Sequence, residues 1–382
     1  WFSMTTGLDM STGKGKSLPI WYTGNLYQIR QRGFSLQKMK IKNALVFTED
    51  CTFQKQDLCF QNDRITDQNC EETSVDAEGL YAIPGLIDIH LHGCMGQDFS
   101  DGTDEALRTI ADYQAECGVT AFAPASMTLS EEMLDRIFRN AAQYRSESGA
   151  MFCGIHMEGP FFSPEKKGAQ NGAYLREPDT AMFDRLYETC NGLIKIVDVA
   201  PERPGAEEFI KKASQKATVS IAHTMADYDT AKKAFADGVR HVTHMWNAML
   251  PFTHRAPGVI GAAFASDCTV ELICDGVHIH PEVIRAMYRL FGAQRIVLVS
   301  DSMRATGLSD GEYTLGGQKV WVNGLLATLE DGTIAGSVTN LMECMRQAVR
   351  FGIPLEHAVQ SAAVNPAGVI GMEREMGSLS AG

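Results

Sequence analysis

The chain has 382 residues, with 34 Lys or Arg against 47 Asp or Glu, so its formal net charge is −13. That charge argues against nucleic-acid-binding and membrane-surface proteins, because both classes present basic patches. A hydrophobic content of 45% and a charged content of 21% exclude a disordered or collagen-like chain, and no apolar run is long enough for a membrane span.

The N-terminal part is predicted to contain a tail and a small β module. Residues 1–38 are polar and show no helix or strand period, so we expect a leader or added extension without a catalytic role. Alternation after Met39 predicts strands, and 39–83 is expected to be the first part of a small β domain. No secretory signal is recognised. The ten cysteines form no Cys-x-x-Cys pair, which is typical of reduced thiols, and the predicted location is cytoplasmic.

From residue 84 to 309 the sequence alternates between apolar runs and amphipathic stretches. The spacing is that of βα units, and eight buried strands predict a (β/α)₈ barrel of the TIM type, with a doubly wound open sheet as the alternative. The predicted strands are 86–92, 120–127, 151–158, 193–200, 218–224, 240–246, 269–276 and 295–302. The predicted helices between them are 104–117, 131–147, 206–216, 228–237 and 281–291.

The C-terminal part returns to β structure and then to helices. Turn signals within 310–336 predict a small β domain or insert. A small β-sandwich domain beside the barrel is expected from N- and C-terminal segments of the chain. Helical patterns at 338–351 and 355–364 place helices on the barrel within 337–375. Residues 376–382 are read as the start of a closing strand that the sequence does not complete.

Polar residues close the predicted barrel strands, at the end where barrel chemistry takes place. His90 and His92 are two positions apart on one strand and therefore share a face. Glu158 ends the third strand, and His223 and His244 are one βα unit apart. Two histidines and a glutamate are a known three-ligand set for a catalytic metal. The sequence thus predicts a divalent metal site at this rim.

Other polar residues at this rim are candidates for acid–base chemistry and substrate binding. Asp301 ends the eighth strand and is predicted to act as general base and acid. His278 is a candidate for polarising a carbonyl or holding a hydroxyl, and His280 for capping the next helix. Arg255 offers a planar fork for phosphate. His156 and His241 are read as structural, with His241 pointing out of the barrel.

An ordered series of motifs resembles the amidohydrolase superfamily and, more closely, the N-acetylglucosamine-6-phosphate deacetylase family. The resemblance covers about residues 39–382. It implies hydrolysis of the acetamide of N-acetylglucosamine 6-phosphate to glucosamine 6-phosphate and acetate. The motifs include Pro84-Gly-Leu-Ile-Asp-Ile-His-Leu-His-Gly93, His156-Met-Glu-Gly-Pro160, Thr243-His-Met-Trp-Asn-Ala-Met249, Asp275-Gly-Val-His278 and Val299-Ser-Asp301.

The same resemblance implies roles for individual residues. Glu158, His223 and His244 would be the main metal ligands, His90 and His92 would allow a second, weaker site, and Asp301 would be the catalytic acid and base. One or two divalent ions are expected, Zn²⁺ or Fe²⁺ before Mn²⁺ or Co²⁺. His278 would contact the sugar and the amide carbonyl. The substrate site would further be lined by Ala169, Gln170, Asn247, Ala248, Arg255, Ile334, Ala335 and Gly336.

The resemblance also implies a homodimer, in which the neighbouring subunit contributes to phosphate binding. Gln170 stands where many members have His, and its amide can still form a hydrogen bond with a sugar hydroxyl. Two alternatives stay open. One is another amidohydrolase, such as a dihydroorotase, hydantoinase or deaminase, although the predicted fourth strand lacks the Lys that bridges metals in many of those. The other is a catalytically silent sugar-phosphate-binding barrel.

Overall fold

The structure, a computed structural model, describes residues 2–4, 38–61, 64–70 and 73–381. Strand β1 (Phe2–Met4) pairs antiparallel with β6 (Tyr81–Pro84), in a segment where the sequence predicted no element. The rest of the predicted tail, residues 1 and 5–37, lies outside the described residues.

The first sheet consists of β1 and five strands from residues 38–84, arranged around the long strand β2. Alternating residues of β2, such as Met39 and Ile41, are buried and pack with Phe60. Leu379 joins this small core from the other end of the chain, which brings the C-terminal segment back to the N-terminal sheet. The sheet order is β1-β6-β2-β3-β4, with β5 beside β2. The strands after β1 are β2 (Lys38–Phe47), β3 (Phe53–Gln61), β4 (Arg64–Thr66), β5 (Thr73–Asp76) and β6 (Tyr81–Pro84).

Eight parallel strand positions follow and close into the predicted barrel. The gap between the eighth and first positions is closed by backbone bonds, from Asp301 N to His90 O at 2.8 Å and from His92 N to Ser302 O at 2.7 Å. The doubly wound alternative is therefore wrong. The second and third positions are each split in two. The strands are β7 (Leu86–Asp88), β10 (Val119–Phe122) with β11 (Ala125–Ser126), β12 (Met151–Phe152) with β13 (Ile155–Met157), β14 (Ile194–Val199), β15 (Thr218–Ile221), β16 (His241–Val242), β17 (Thr269–Ile273) and β18 (Ile296–Val299); a small hairpin, β8 (Gly93–Cys94) and β9 (Gln97–Asp98), follows the first.

Amphipathic helices connect the strands and cover the barrel. Two of them, Thr180–Thr189 and Gly258–Phe264, were not predicted; the second is almost wholly buried and small in its side chains, so it lacks a polar face. No helix in the described ranges is both long and apolar enough to cross a membrane. The helices are α1 (Asp104–Glu116), α2 (Glu131–Gln143), α3 (Thr180–Thr189), α4 (Ala206–Ala213), α5 (Tyr228–Asp237), α6 (Gly258–Phe264), α7 (Pro281–Phe291), α8 (Leu341–Arg350), α9 (Leu355–Val359) and α10 (Asn365–Val369), with a π turn at Gln360–Val364.

A separate three-stranded antiparallel sheet follows the eighth barrel strand. It consists of β19 (Gly311–Leu315), β20 (Gln318–Asn323) and β21 (Leu326–Thr328). Its buried residues Leu315 and Val320 belong to the barrel core, and the Gln318 side chain donates to the Ala169 carbonyl. The sheet therefore sits against the barrel rim that carries the candidate site.

Candidate metal centre and active site

A cavity of about 500 Å³ opens at the carboxyl ends of the barrel strands. The polar residues that the sequence placed at strand ends meet in its floor. Its walls come from the loops after the third and sixth strands and from the segment after β21. Predicted site residues in its lining are His92, Glu158, Ala169, Gln170, His223, His244, Asn247, Ala248, His278, Asp301, Ile334 and Gly336.

The first donor group consists of Glu158, His223 and His244, which follow the third, fifth and sixth strands. Glu158 Oε1 lies 3.1 Å from His223 Nε2 and 3.3 Å from His244 Nε2. The two imidazole nitrogens are 3.1 Å apart. All three side chains are buried, and their ligand atoms lie within 4.8 Å of one another. The structure therefore brings together the three residues that the sequence predicted as metal ligands.

The second donor group consists of His90 and His92, which face the other oxygen of Glu158. His92 Nε2 lies 3.3 Å from Glu158 Oε2 and 3.3 Å from Asp301 Oδ1. His90 Nε2 lies 3.8 Å and 3.7 Å from the same two oxygens. Glu158 thus stands between the two donor groups, with one carboxylate oxygen directed to each.

The hydrogen-bond partners of the imidazole rings indicate which nitrogen of each ring carries a proton. His223 Nδ1 lies 2.8 Å from the Lys166 carbonyl, and His92 Nδ1 lies 3.2 Å from the Ala125 carbonyl. A carbonyl oxygen only accepts, so each Nδ1 keeps its proton, and Nε2 of the neutral ring presents a lone pair. These lone pairs face carboxylate oxygens. Two buried acceptors in contact need positive charge between them, either a proton or a metal cation.

Four buried atoms of the cluster have no hydrogen-bond partner among the described residues. His244 Nδ1 is one of them, and the other three, His90 Nε2, Glu158 Oε2 and Asp301 Oδ1, face one another between the two donor groups. A buried polar atom left without a partner costs free energy, and a cation would supply the missing interaction. Imidazole nitrogen with carboxylate oxygen is a donor set suited to Zn²⁺ and other divalent transition metals. The residues therefore fit the divalent metal that the sequence predicted.

The electrostatics of the cluster agree with this interpretation. Burial alone would raise the pKa of Glu158 and of Asp301, but the surrounding histidines outweigh burial and lower both pKa values. Burial alone would lower the pKa of His90 and His92, but the neighbouring carboxylates outweigh it and raise both. These shifts favour positive charge on His90 and His92 beside the two carboxylates, which is the charge that a bound cation would supply.

Three of the strand-end residues have a left-handed backbone, which the sequence did not predict. The φ angles are 44° at His223, 29° at His244 and 49° at Asp301. Such angles are uncommon for residues other than glycine and cluster at functional sites. Each of these residues turns its side chain toward the centre as the strand ends. The turn at His244 also explains why the prediction for His241 was wrong.

His241 was expected to point out of the barrel because it stands three residues before His244. It is fully buried inside, with Nε2 3.1 Å from Glu271 Oε1. Side chains along a strand normally point alternately into and out of the barrel, but the left-handed backbone at His244 interrupts this alternation. His156 is fully buried, as expected for a structural residue. Its Nδ1 forms a hydrogen bond of 2.9 Å with the Ile89 carbonyl, and its Nε2 lies 3.1 Å from Asp198 Oδ2.

His278 lies in the cavity wall and is held by Asp275. Its Nδ1 is 2.7 Å from Asp275 Oδ2, and its backbone N–H donates to Asp275 Oδ1 at 2.9 Å. Burial alone would lower the pKa of His278, but the bond to Asp275 outweighs it and raises that pKa. His280, two residues later, caps α7 by accepting from Glu282 N, as predicted.

Some of the candidate substrate residues line the cavity, and others lie behind its wall or outside it. Gln170 is buried in the cavity wall, where its Oε1 accepts from Thr128 N at 2.7 Å, so its amide nitrogen is the group left for other partners. Ala335 is fully buried behind the wall. Arg255 lies in the exposed stretch 251–256 and is not in the lining of this cavity. Lys167 is in that lining.

Sequence reasoning missed the carboxylate Glu271, which is fully buried on β17. Its Oε2 lies 2.8 Å from His90 Nδ1 and accepts from His244 N at 2.9 Å. The signal was present in the sequence, because a glutamate stands in the middle of the apolar run Thr269–Ile273. A charge at such a position needs a buried partner.

Comparison with known proteins identifies the family. The model of the amidohydrolase family matches residues 81–382. The N-acetylglucosamine-6-phosphate deacetylase of Bacillus subtilis (strain 168) is 40% identical over 276 residues, which cover 70% of each chain. The enzyme of the same name from Vibrio furnissii is 35% identical over 78% of this chain and 76% of its own.

A solved structure gives the same result. A variant of N-acetyl-D-glucosamine-6-phosphate deacetylase from Mycobacterium smegmatis, in complex with N-acetyl-D-glucosamine-6-phosphate, superposes with a TM-score of 0.83. It is 31% identical in sequence, and the match covers 91% of this chain and 93% of that one. The chain therefore belongs to the amidohydrolase family and, within it, to the N-acetylglucosamine-6-phosphate deacetylases.

Proposed function

We propose that this chain hydrolyses the acetamide of N-acetylglucosamine 6-phosphate, giving glucosamine 6-phosphate and acetate. The observation that carries the proposal is the contact of Glu158 Oε1 with His223 Nε2 and His244 Nε2, beside Asp301 in the floor of the cavity. Relatives at up to 40% identity have this activity in their names, and a structural neighbour binds this substrate.

Glu158, His223 and His244 would hold one divalent cation, and His90 and His92 with the second oxygen of Glu158 would hold another. Zn²⁺ or Fe²⁺ is the metal that we propose, with Mn²⁺ or Co²⁺ as alternatives. When bound, a divalent cation supplies Lewis-acid activation of water and of the amide carbonyl.

Asp301 is the proposed general base and acid. Its Oδ1 is buried and has no donor among the described residues, and its low pKa keeps it ionised at neutral pH. It would remove a proton from the attacking water while the oxygen bonds to the acetamide carbon. The same proton would then pass to the amine nitrogen as the carbon–nitrogen bond breaks.

His278 is proposed to stabilise negative charge on the carbonyl oxygen. Asp275 holds the Nδ1 proton and raises the pKa of the ring, so the imidazolium form, with a second proton on Nε2, persists to a higher pH than in a free histidine. An N–H donor placed at a developing oxyanion contributes about 3 kcal/mol to the barrier reduction. Asn247, Ala248, Gln170 and Ile334 would contact the sugar.

We assign phosphate binding to Arg255, which is exposed in its own subunit. In a homodimer, this exposed segment would lie at a neighbouring site, and Lys167 would add a cation from the cavity wall. A cytoplasmic location is part of the same proposal, supported by ten cysteines that are all free thiols.

The test is release of glucosamine 6-phosphate from N-acetylglucosamine 6-phosphate by the purified protein. It should be measured before chelation, after chelation, and after Zn²⁺, Fe²⁺, Mn²⁺ or Co²⁺ is added back. We expect turnover that chelation abolishes and metal restores, with little turnover of unphosphorylated N-acetylglucosamine. Metal-loaded protein without turnover would reject the proposal in favour of a different amide substrate or a silent sugar-phosphate-binding barrel.

A further inference from the structure

Glu271 lies inside the barrel, beneath the cluster of metal-binding side chains, and is fully buried on β17. Three N–H groups converge on its carboxylate. Oε2 accepts hydrogen bonds from His90 Nδ1 at 2.8 Å and from His244 N at 2.9 Å. Oε1 lies 3.1 Å from His241 Nε2. The two contacts to Oε2 reach one residue from each of the two donor groups.

The contact with His90 fixes the tautomer of that ring. An ionised carboxylate only accepts hydrogen bonds, so the proton stays on Nδ1 of His90. The lone pair is therefore on Nε2, which has no hydrogen-bond partner among the described residues. Nε2 lies 3.8 Å from Glu158 Oε2 and 3.7 Å from Asp301 Oδ1, on the side where the second cation would bind.

The contact with His244 acts on the backbone. His244 has a φ of 29°, a conformation that residues with a side chain rarely adopt. Its N–H donates to Glu271 Oε2, and the next N–H, of Met245, donates to the Glu271 carbonyl at 3.0 Å. Both bonds hold the turn that brings His244 Nε2 to within 3.3 Å of Glu158 Oε1.

We propose that Glu271 is a positioning residue that holds His90 and His244 in place together, so that both donor groups depend on one buried carboxylate for metal binding. The effect on metal binding is independent of the substrate. Only the expected effect on turnover rests on the function proposed above.

A neighbouring carboxylate provides a matched control. Asp198 on β14 is also fully buried inside the barrel. It accepts from Thr243 Oγ1 at 2.8 Å and lies 3.1 Å from His156 Nε2, but no described contact joins it to a residue of either donor group. Loss of its charge therefore disturbs the barrel interior to a similar degree without releasing His90 or the backbone of His244.

The experiment compares Glu271→Gln, Glu271→Asp and Asp198→Asn with the unaltered chain. Each protein is stripped of metal and titrated with Co²⁺, and the visible d–d spectrum and bound metal per chain are recorded beside a thermal transition of the metal-free form. We expect Glu271→Gln to bind Co²⁺ about 10- to 100-fold more weakly, as is typical when the partner of a ligating histidine is lost. Its spectrum should change, and kcat should fall with little change in KM. Glu271→Asp, which keeps the charge at a shifted position, should be intermediate.

Wild-type Co²⁺ affinity and spectrum in both Glu271 variants would overturn the proposal, and so would an equal loss of Co²⁺ binding in Asp198→Asn. If Glu271→Gln does not fold, the comparison of Glu271→Asp with Asp198→Asn decides in the same way. Failure of the unaltered, metal-loaded chain to hydrolyse N-acetylglucosamine 6-phosphate would reject the proposed function and leave this inference standing on its metal titration.

Discussion

Asp301 Oδ1 lies 3.3 Å from His92 Nε2, and the Nδ1 proton of that ring is already directed to the Ala125 carbonyl. Only an additional proton or a cation can join the two atoms favourably. The same oxygen of Asp301 faces the cavity floor without another donor among the described residues. Asp301 is thus placed both to meet a bound cation and to exchange a proton with substrate.

Replacement of Asp301 by Asn should lower kcat by about 10²- to 10⁴-fold, the range for loss of a general acid or base. The amide keeps the size of the side chain, so KM should change by less than a few-fold. Asp310→Asn, at an exposed turn outside the cavity, is the control and should keep full turnover. A near-normal kcat in Asp301→Asn, measured with saturating metal, would remove the acid–base role from this residue.

Metal binding should weaken as the pH falls. The carboxylates around His90 and His92 raise the pKa of both rings in the metal-free protein. Their Nε2 atoms therefore hold protons up to a higher pH than a free histidine, and a cation must displace those protons. Between pH 8 and pH 6 the affinity for Zn²⁺ should fall, and binding should release protons. Calorimetric titrations in two buffers of different ionisation enthalpy measure both the Zn²⁺ affinity and the number of protons released. Affinity that is independent of pH would show that the metal does not displace protons from these two rings.

Replacement of Asp275 by Asn should move the pH profile of turnover. Asp275 raises the pKa of His278, so its loss lowers that pKa. If the imidazolium form of His278 is needed, the basic limb of kcat should then shift to lower pH, with a smaller change on the acidic limb. A profile with unchanged limbs would contradict the assignment of His278 as a charged donor to the carbonyl oxygen.

Phosphate recognition by Arg255 predicts a change in KM. Replacement by Ala should raise KM for N-acetylglucosamine 6-phosphate by about 10- to 100-fold, since a hydrogen bond to a charged group contributes about 1.5–3 kcal/mol. The weak turnover of unphosphorylated N-acetylglucosamine should not change. Arg289→Ala, on the exposed face of α7, is the control. An equal loss with both substrates would assign Arg255 a structural role.

The sequence predicts the barrel well because buried parallel strands are nearly continuous apolar runs, and because barrel chemistry collects at strand ends. Glu158, His223 and His244 could be named for that reason. The missed features depend on local backbone and on distant packing. No signal in the sequence predicts the left-handed turn at His244. Because of that turn, His241 points into the barrel, although it was expected to point outward. The contact of Glu271 with His90 joins residues 181 positions apart, and only the closed barrel brings them together.

Gly168 tests how closely the backbone approaches His223, one of the proposed metal ligands. It has a φ of 54°, and a Cβ added there would lie 3.3 Å from His223 Cε1 and 3.7 Å from its Nδ1. Gly168→Ala should therefore displace the imidazole from Glu158 and lower both Co²⁺ affinity and kcat. Gly324 has a similar φ of 59° but no atom within 4 Å of an added Cβ.

Gly324→Ala is the matched control for that variant. Both substitutions place an alanine in the left-handed region, at a cost of about 1–2 kcal/mol in the free energy of unfolding, so thermal transitions should fall by similar amounts. Only Gly168→Ala brings the new methyl group against a ligand, so only that variant should bind less metal. If the two alanine variants lose equal amounts of bound Co²⁺, backbone strain explains the loss. If neither loses any, His223 tolerates the displacement, and its position relative to Glu158 is not what determines metal affinity.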